Sequence, residues 1–216
     1  MNYQNLWKKA EKIIPGGNGL LSKRPKRFLF SGWPTYYKKA KGIYLWTLDN
    51  RKLIDFSIMG IGTAVLGYAN SVIDKKVKSA IDNGINTTLN CIEEYELAKE
   101  ILKYNKFAHQ VKFAKGGGEA MSMAIRIARS NSKKYKVVFS GYHGWHDWYI
   151  SANLTNKKNL NNHLLKNLKP LGVPKNLKNS IIPLKFNDHV ELKKIFKNNK
   201  EAGILVIEGA RNDYPS

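Results

Sequence analysis

Residues 111–130 read VKFAKGGGEAMSMAIRIARS. The pattern predicts a short strand, Val111–Ala114, followed by a glycine turn and a helix, Glu119–Ser130. Glycine lets a backbone N–H group approach a ligand without a Cβ in the way, and the start of a helix carries partial positive charge. Such a segment can cradle a phosphate, although a tight strand-to-helix turn uses the same residues. The candidates for this phosphate cradle are Gly116, Gly117 and Gly118.

Two familiar nucleotide-binding motifs are excluded by the spacing of these glycines. The chain has no Gly-x-x-x-x-Gly-Lys-Ser/Thr sequence, and no Gly-x-Gly-x-x-Gly follows a predicted strand. Downstream, apolar strands alternate with helices, which is typical of a parallel α/β sheet. The predicted elements are strands at 136–140, 181–186 and 203–207 and a helix at 190–198.

The residues upstream of the glycines have a different organisation. An amphipathic helix is predicted within Met1–Ile14 and ends at Pro15. Three short strands then form an antiparallel meander, with a hairpin turn at Asp49-Asn50. The predicted strands are 36–37, 42–46 and 53–56, and a glycine-rich loop at 58–70 precedes helices at 71–83 and 93–105.

A second motif, GYHGWHDW at 141–148, follows the strand predicted at 136–140. The carboxyl end of a strand is where open α/β sheets bind ligands, so Tyr142 and its neighbours are candidates for an aromatic platform under a planar ligand. Packing of these rings in the core is the alternative. A metal site at His143, His146 and Asp147 is disfavoured, because the spacing matches no standard zinc pattern. Glu208 ends the strand 203–207 and is predicted to face the same crevice, with a surface turn as its alternative.

Composition limits the class of protein. The 216 residues include 37 Lys+Arg against 16 Asp+Glu, a net charge of +21, but 31 of the basic residues are Lys. Scarce Arg and the lack of a recognised motif disfavour the hypothesis of a nucleic-acid-binding protein. The excess of Lys, Asn and Ile is instead what an AT-rich coding sequence produces, with the lysines on solvated surfaces. The Lys-rich residues 151–200 are therefore predicted to be a surface excursion. No apolar run is long enough to span a bilayer, no secretion signal is seen, and the single Cys91 favours a reducing, cytoplasmic location.

The ordered motifs resemble the N-terminal half of a class III aminotransferase, a family of fold-type I enzymes that use pyridoxal 5′-phosphate, and most closely the glutamate-1-semialdehyde 2,1-aminomutase-like proteins. The resemblance extends over nearly the whole chain. The matching segments are Ile14–Gly17, Lys41-Gly42, Leu48-Asp49, Asp55-Phe56, Gly62-Thr63, Leu66–Tyr68, Glu96–Ala98, Phe113–Ala120, Ala124–Arg129, Tyr142–Gly144 and Glu208.

The resemblance implies a role for each candidate residue. Gly117 and Gly118 would donate backbone N–H groups to the cofactor phosphate, and Gly116 would shape the loop. Tyr142 would stack on the pyridine ring with His143 beside it, and Glu208 matches an acidic residue that the family keeps there. Arg24 matches a substrate-facing basic residue, in a loop of different length. Family members usually carry a Ser or Thr hydroxyl beside the phosphate, and here both flanking positions are glycine.

The resemblance also implies that the site is incomplete in these 216 residues. The family's Schiff-base lysine and the aspartate that protonates the pyridine nitrogen lie further along the chain, so we expect no catalytic residue in this segment and no activity from it alone. The alternative is a non-catalytic truncated product, or a subunit that a second chain completes. The implied domains are 1–57, part of a small domain, and 58–216, part of the cofactor-binding domain. A homodimer and a small amino or carbonyl substrate are expected of the full-length enzyme, with aminomutase and transaminase both open.

Overall fold

The structure, a computed structural model, describes residues 3–29, 32–57 and 59–209. It divides into two compact units, residues 1–94 and 95–216. Buried residues are concentrated in the second unit, so that the core sits around its sheet.

The first unit contains an N-terminal helix, a three-stranded antiparallel sheet and a second helix. The sheet has the order β1-β2-β3, as the sequence predicts. Its elements are α1 (Tyr3–Ile13), β1 (Tyr37–Lys41), β2 (Tyr44–Thr47), β3 (Lys52–Ile54) and α2 (Ser71–Asp82), with α3 (Ile92–Tyr104) beginning at its end.

The β2–β3 hairpin is held by the side chain of Thr47, which is buried. Its hydroxyl contacts the Asp49 carboxylate and accepts a hydrogen bond from the Arg51 backbone N–H at 3.1 Å. Asn50 adopts a left-handed conformation with φ of 64°, which asparagine tolerates better than most residues. The predicted turn at Asp49-Asn50 is therefore confirmed.

The glycine-rich loop is tied to the meander through Tyr68. Its backbone pairs with Gly42 through two hydrogen bonds of 2.8 Å, and its hydroxyl donates to the Asp55 carboxylate at 2.6 Å. Burial, together with this hydrogen bond to Asp55, raises the pKa of Tyr68 to about 12. The described part of 58–70 is thus an anchored loop, consistent with the prediction.

The second unit is a parallel α/β structure. Its sheet has the order β5-β4-β6, and both strand pairs are parallel. The elements are α4 (Gly117–Ser132), β4 (Lys136–Ser140), α5 (Asp147–Ile150), α6 (Ala152–Thr155), β5 (Ile181–Pro183), α7 (His189–Asn198) and β6 (Ala202–Ile207). Across the described residues, no helix combines the length and the apolar character that a bilayer crossing requires.

The central strand β4 is buried on both faces, as is typical of parallel sheets. Val137 and Phe139 face a cluster that includes Tyr149. Val138 faces the opposite cluster, which includes Ile195 of α7. The strand ends that carry the candidate site are therefore anchored in the best-packed part of the chain.

The strand predicted at Val111–Ala114 is not formed, so this prediction is wrong. Val111 and Phe113 are half-buried and alternate with exposed Lys112 and Ala114, which is the burial pattern of a strand. A strand also needs a neighbour for its backbone groups. Within the described residues the sheet consists of β5, β4 and β6 only, and residues 111–114 pair with none of them.

The prediction of a solvated excursion at 151–200 is also wrong in part. Leu160 is fully buried in the main core cluster. The side chain of Asn153, also buried, donates to the Leu168 carbonyl at 2.7 Å and accepts from the Leu160 N–H at 2.9 Å. The lysines of this segment are exposed, for example Lys157 and Lys158. The charge of the segment gives no indication of the buried apolar residues between its lysines.

Candidate functional site

The glycine turn ends in the amino terminus of α4. Gly116 is its N-cap, with an extended backbone (φ −143°, ψ 156°), and the helix begins at Gly117. The Glu119 carboxylate turns back and accepts from the N–H groups of Lys115 and Gly116, at 3.0 and 3.2 Å. The N–H groups of the first helical turn have no acceptor within the helix, so those of Gly117 and Gly118 are suited to bind an anion. A Cβ added at Gly116 or Gly117 would meet no atom within 4 Å, so the space beside them is open.

The loop after β4 packs directly on this helix terminus. Gly144 has φ of +99°, and a Cβ there would lie 2.8 Å from the Cα of Gly118. Only glycine permits both the conformation and the close approach of the two backbones. A Cβ at Gly118 would in turn lie 2.8 Å from the imidazole ring of His146. The two predicted motifs, 116–118 and 141–148, therefore meet.

Tyr142 belongs to the same loop as Gly144 and has a partly exposed ring. The residue is 42% exposed, and its ring makes edge contacts with Trp145 and Tyr149, at centroid distances of 6.3 and 6.2 Å. Tyr149 is fully buried, and its hydroxyl donates to the Gly141 carbonyl at 2.8 Å. Partial burial raises the pKa of Tyr142, which favours the neutral phenol. The ring is thus held on two sides while remaining accessible.

His143 is turned into the core, unlike Tyr142. It is 7% exposed, and its Nε2 donates to the Ser140 carbonyl at 2.9 Å. Burial lowers its pKa, although the bond to Ser140 and the charge of Glu208 act in the opposite direction. The aromatic motif therefore divides: His143 and Trp148 pack in the core, whereas Tyr142, Trp145 and His146 are exposed. Some rings of the motif therefore pack in the core, and others remain available as a platform for a ligand.

Glu208 lies next to the same loop. Its backbone N–H donates to the Ser140 carbonyl at 3.0 Å, and its carboxylate accepts from the Tyr142 N–H at 3.4 Å. Gly141, with φ of +97°, lies so close that a Cβ there would be 2.5 Å from the Glu208 Cβ. The strand ends of β4 and β6 thus bring Tyr142 and Glu208 together, as the sequence predicts.

Two other predicted features lie apart from this arrangement. Arg24 belongs to the first unit, where its guanidinium fills the space beside Gly16 and its buried Nε has no hydrogen-bond partner in the described residues. Its role toward a substrate stays a prediction. No group of three or more His, Cys, Asp or Glu side chains in the described ranges is arranged to hold a metal ion.

Sequence reasoning missed the contact between His146 and Ser122. The Ser122 hydroxyl donates to the Gly118 carbonyl at 2.9 Å and lies 2.7 Å from Nδ1 of His146. Gly118 and Ser122 are four residues apart and so share one face of α4. That spacing could have predicted the bond from Ser122 to the Gly118 carbonyl. The sequence contains no signal for the contact between Ser122 and His146.

Acid is expected to destabilise the fold through His143. Because its folded-state pKa lies below the ordinary value near 6.5, the unfolded chain binds more protons as the pH falls through and below that value, and stability declines. In denaturant titrations from pH 7.5 to pH 5, the His143→Gln variant should lose less stability than the wild type. His109→Gln, at an exposed position, is the matched control and should keep the wild-type slope. Equal slopes for all three proteins would contradict this role for His143.

The fold is that of an α/β protein, and its candidate site lies at the carboxyl edge of a parallel sheet. Comparison with known proteins makes this specific. The profile of the family described as aminotransferase class-III matches residues 31–209. The chain therefore belongs to the class-III aminotransferase family, and the resemblance seen in the sequence is confirmed.

Individual relatives agree with this assignment. Glutamate-1-semialdehyde 2,1-aminomutase from Sulfurisphaera tokodaii is 33% identical over 205 residues, which cover 94% of this chain and 46% of the relative. An omega-transaminase from Sphaerobacter thermophilus has the same fold, with a TM-score of 0.76, 22% identity, and coverage of 95% of this chain and 46% of that one. A transaminase solved with PLP bound gives a TM-score of 0.77, with the same identity and coverage. The chain thus spans about half the length of the relatives it matches.

Proposed function

We propose that this chain supplies the cofactor-phosphate part of the site of a pyridoxal-phosphate-dependent enzyme that transfers amino groups. One observation carries the proposal. The glycine-started terminus of α4 and the loop that carries Tyr142 are in direct backbone contact, through Gly118 and Gly144. A helix terminus with free amide donors and a loop that carries an accessible aromatic ring are therefore adjacent, and the loop begins at the carboxyl end of β4.

The residues present fit this cofactor. A phosphate ester carries between one and two negative charges at neutral pH, and it would accept hydrogen bonds from the amides of Gly117 and Gly118 at the positive end of α4. The open space beside Gly116 and Gly117 leaves room for its oxygens. The half-exposed ring of Tyr142 would lie against the planar pyridine ring. When bound, the cofactor supplies a carbonyl that takes up an amino group and a ring that accepts electrons.

Glu208 and His143 have supporting roles in the proposal. The Glu208 carboxylate holds the Tyr142 backbone and places a negative charge at the strand ends. The buried, neutral His143 fixes the turn after β4 through its bond to Ser140. Both residues therefore orient Tyr142 rather than act on the reacting atoms.

The wider properties of the enzyme are proposed from the relatives. Glutamate-1-semialdehyde aminomutase and transaminase are both candidate activities, with a small amino or carbonyl compound as substrate and Arg24 as a residue that would contact it. The lysine that binds the cofactor covalently is proposed to lie outside these 216 residues, so that this segment alone has no turnover. The full-length enzyme is proposed to be a cytoplasmic homodimer. Residues 1–57 are proposed to form part of its small domain and residues 58–216 part of its cofactor-binding domain.

NMR with selective ¹⁵N-glycine labelling tests the location of the site. The probe is pyridoxine 5′-phosphate, which has no aldehyde and therefore cannot be captured by the 31 lysines. The signals of Gly117 and Gly118 should shift on its addition, while Gly172, whose surroundings are open, should not. Pyridoxine without phosphate should leave the signals of Gly117 and Gly118 in place. Binding of the phosphate ester without any shift at these two glycines would refute the proposed cradle.

A further inference from the structure

We infer that His146 is an additional binding residue for the cofactor phosphate and that it binds as the imidazolium. This inference rests on the proposed cradle at α4. It concerns a residue that the sequence motifs leave without a role. His146 is the N-cap of α5 and is exposed, yet its ring is held in one place beside the cradle.

The position of the ring is the first observation. A Cβ at Gly118 would lie 2.8 Å from Cδ2 and 2.9 Å from Nε2 of His146. The edge of the imidazole thus fills the volume that a side chain at position 118 would occupy, at the start of α4. Gly116 and Gly118 carry no hydroxyl, and Nε2 of His146 lies where a side chain at position 118 would place one.

The orientation of the ring is the second observation. The Ser122 hydroxyl has one proton, which it donates to the Gly118 carbonyl at 2.9 Å. When the hydroxyl keeps this bond, its oxygen accepts from Nδ1 of His146, at 2.7 Å. In this tautomer of the neutral ring the proton is on Nδ1, and Nε2 has none. Nε2 then donates to an anion only when the ring is protonated, so binding of a phosphate dianion would take up a proton.

The surrounding charges are compatible with this role. Beside the ring, a groove of about 490 Å³ is lined from α4 by Ser122, Arg126 and Arg129 and from α5 by Asp147. The two arginines favour an anion nearby. The carboxylate of Glu119 is bound to the backbone of Lys115 and Gly116.

Titration calorimetry with pyridoxine 5′-phosphate tests the inference on the wild type and on His146→Ala. From pH 6.5 to pH 8.5 the wild-type Kd should rise about tenfold, as a charge-assisted hydrogen bond is lost. His146→Ala should bind about tenfold more weakly at pH 6.5 and show much less pH dependence. Protonation of the ligand itself affects both proteins equally, so it cancels when their pH dependences of Kd are compared. Repeating the calorimetry in buffers of different ionisation enthalpy should show that ligand binding takes up protons in the wild type and fewer protons in His146→Ala.

A rescue variant separates a phosphate contact from a structural effect. Gly118 does not have a positive φ, and only His146 obstructs a Cβ there. Gly118→Ser should therefore restore affinity in the His146→Ala background, without restoring the pH dependence, whereas Gly118→Ser alone should clash with the ring and bind worse than the wild type.

Two results would overturn the inference. If His146→Ala keeps the wild-type Kd and pH dependence while Gly117→Pro weakens binding, His146 has no role and the proposed cradle stands. If the wild type does not distinguish the phosphate ester from pyridoxine, the cradle fails and the role of His146 fails with it.

Discussion

Replacing Gly141 with alanine is expected to lower the free energy of unfolding by about 3 kcal/mol or more, because two independent costs coincide at this position. Its φ of +97° is strained for any residue with a Cβ. The added Cβ would also lie 2.5 Å from the Glu208 Cβ and 2.6 Å from its carboxylate. Gly141 and Glu208 directly follow the ends of β4 and β6, so neither backbone can move freely. Equilibrium denaturation with urea measures the effect.

Two further glycines provide matched controls for this prediction. Gly172 also has a positive φ, +80°, but open surroundings, so Gly172→Ala should show only the conformational cost of about 1 kcal/mol. Gly209 has neither constraint, and Gly209→Ala should leave stability nearly unchanged. If Gly141→Ala lowers the free energy of unfolding no more than Gly172→Ala does, Gly141 is not closely packed on Glu208.

Replacing Gly117 with proline is expected to weaken binding of pyridoxine 5′-phosphate by about tenfold to a hundredfold while leaving the fold intact. Gly117 is the first residue of α4, where proline is favoured and where the N–H has no helical acceptor. The preceding Gly116, with φ of −143° and ψ of 156°, has a conformation that residues before proline adopt readily. The substitution therefore removes one amide donor and little else.

Gly117→Ala is the matched control, because it adds a Cβ but keeps the N–H group. Its surroundings are open, so it should bind the ligand more tightly than Gly117→Pro does. The urea midpoints of both variants should stay near that of the wild type. Equal affinity of the proline and alanine variants would show that the Gly117 amide does not bind the phosphate.

Local sequence patterns predicted most of the elements that position the site. Strand β4 was expected at 136–140 and lies at Lys136–Ser140, and the glycine turn leads into α4 as expected. Such elements depend on periodicity and on residues that start or stop a helix, and both are readable from neighbouring residues. Residues 111–114 have an equally good local pattern but form no strand, since a strand also depends on a partner that the local pattern does not specify.

The details of the site depended on contacts between distant residues. Tyr142 and His143 are adjacent and were expected together, yet one ring is half-exposed and the other is buried. The sequence does not record which of the two turns inward, because the choice depends on the Ser140 carbonyl and on the turn of the chain after β4. The contact between His146 and Ser122 spans 24 residues, and no sequence motif joins them.

The central claim is that the terminus of α4 recognises the phosphate of the cofactor. The most direct test is the ratio of the dissociation constants of pyridoxine and pyridoxine 5′-phosphate, measured on the wild-type chain in 0.15 M salt. Salt at that concentration screens long-range attraction to the net charge of +21. We expect the phosphate ester to bind at least about tenfold more tightly than pyridoxine, and the difference to shrink in Gly117→Pro. Equal affinities for the two compounds, or a preference for the ester that Gly117→Pro leaves unchanged, would contradict the claim.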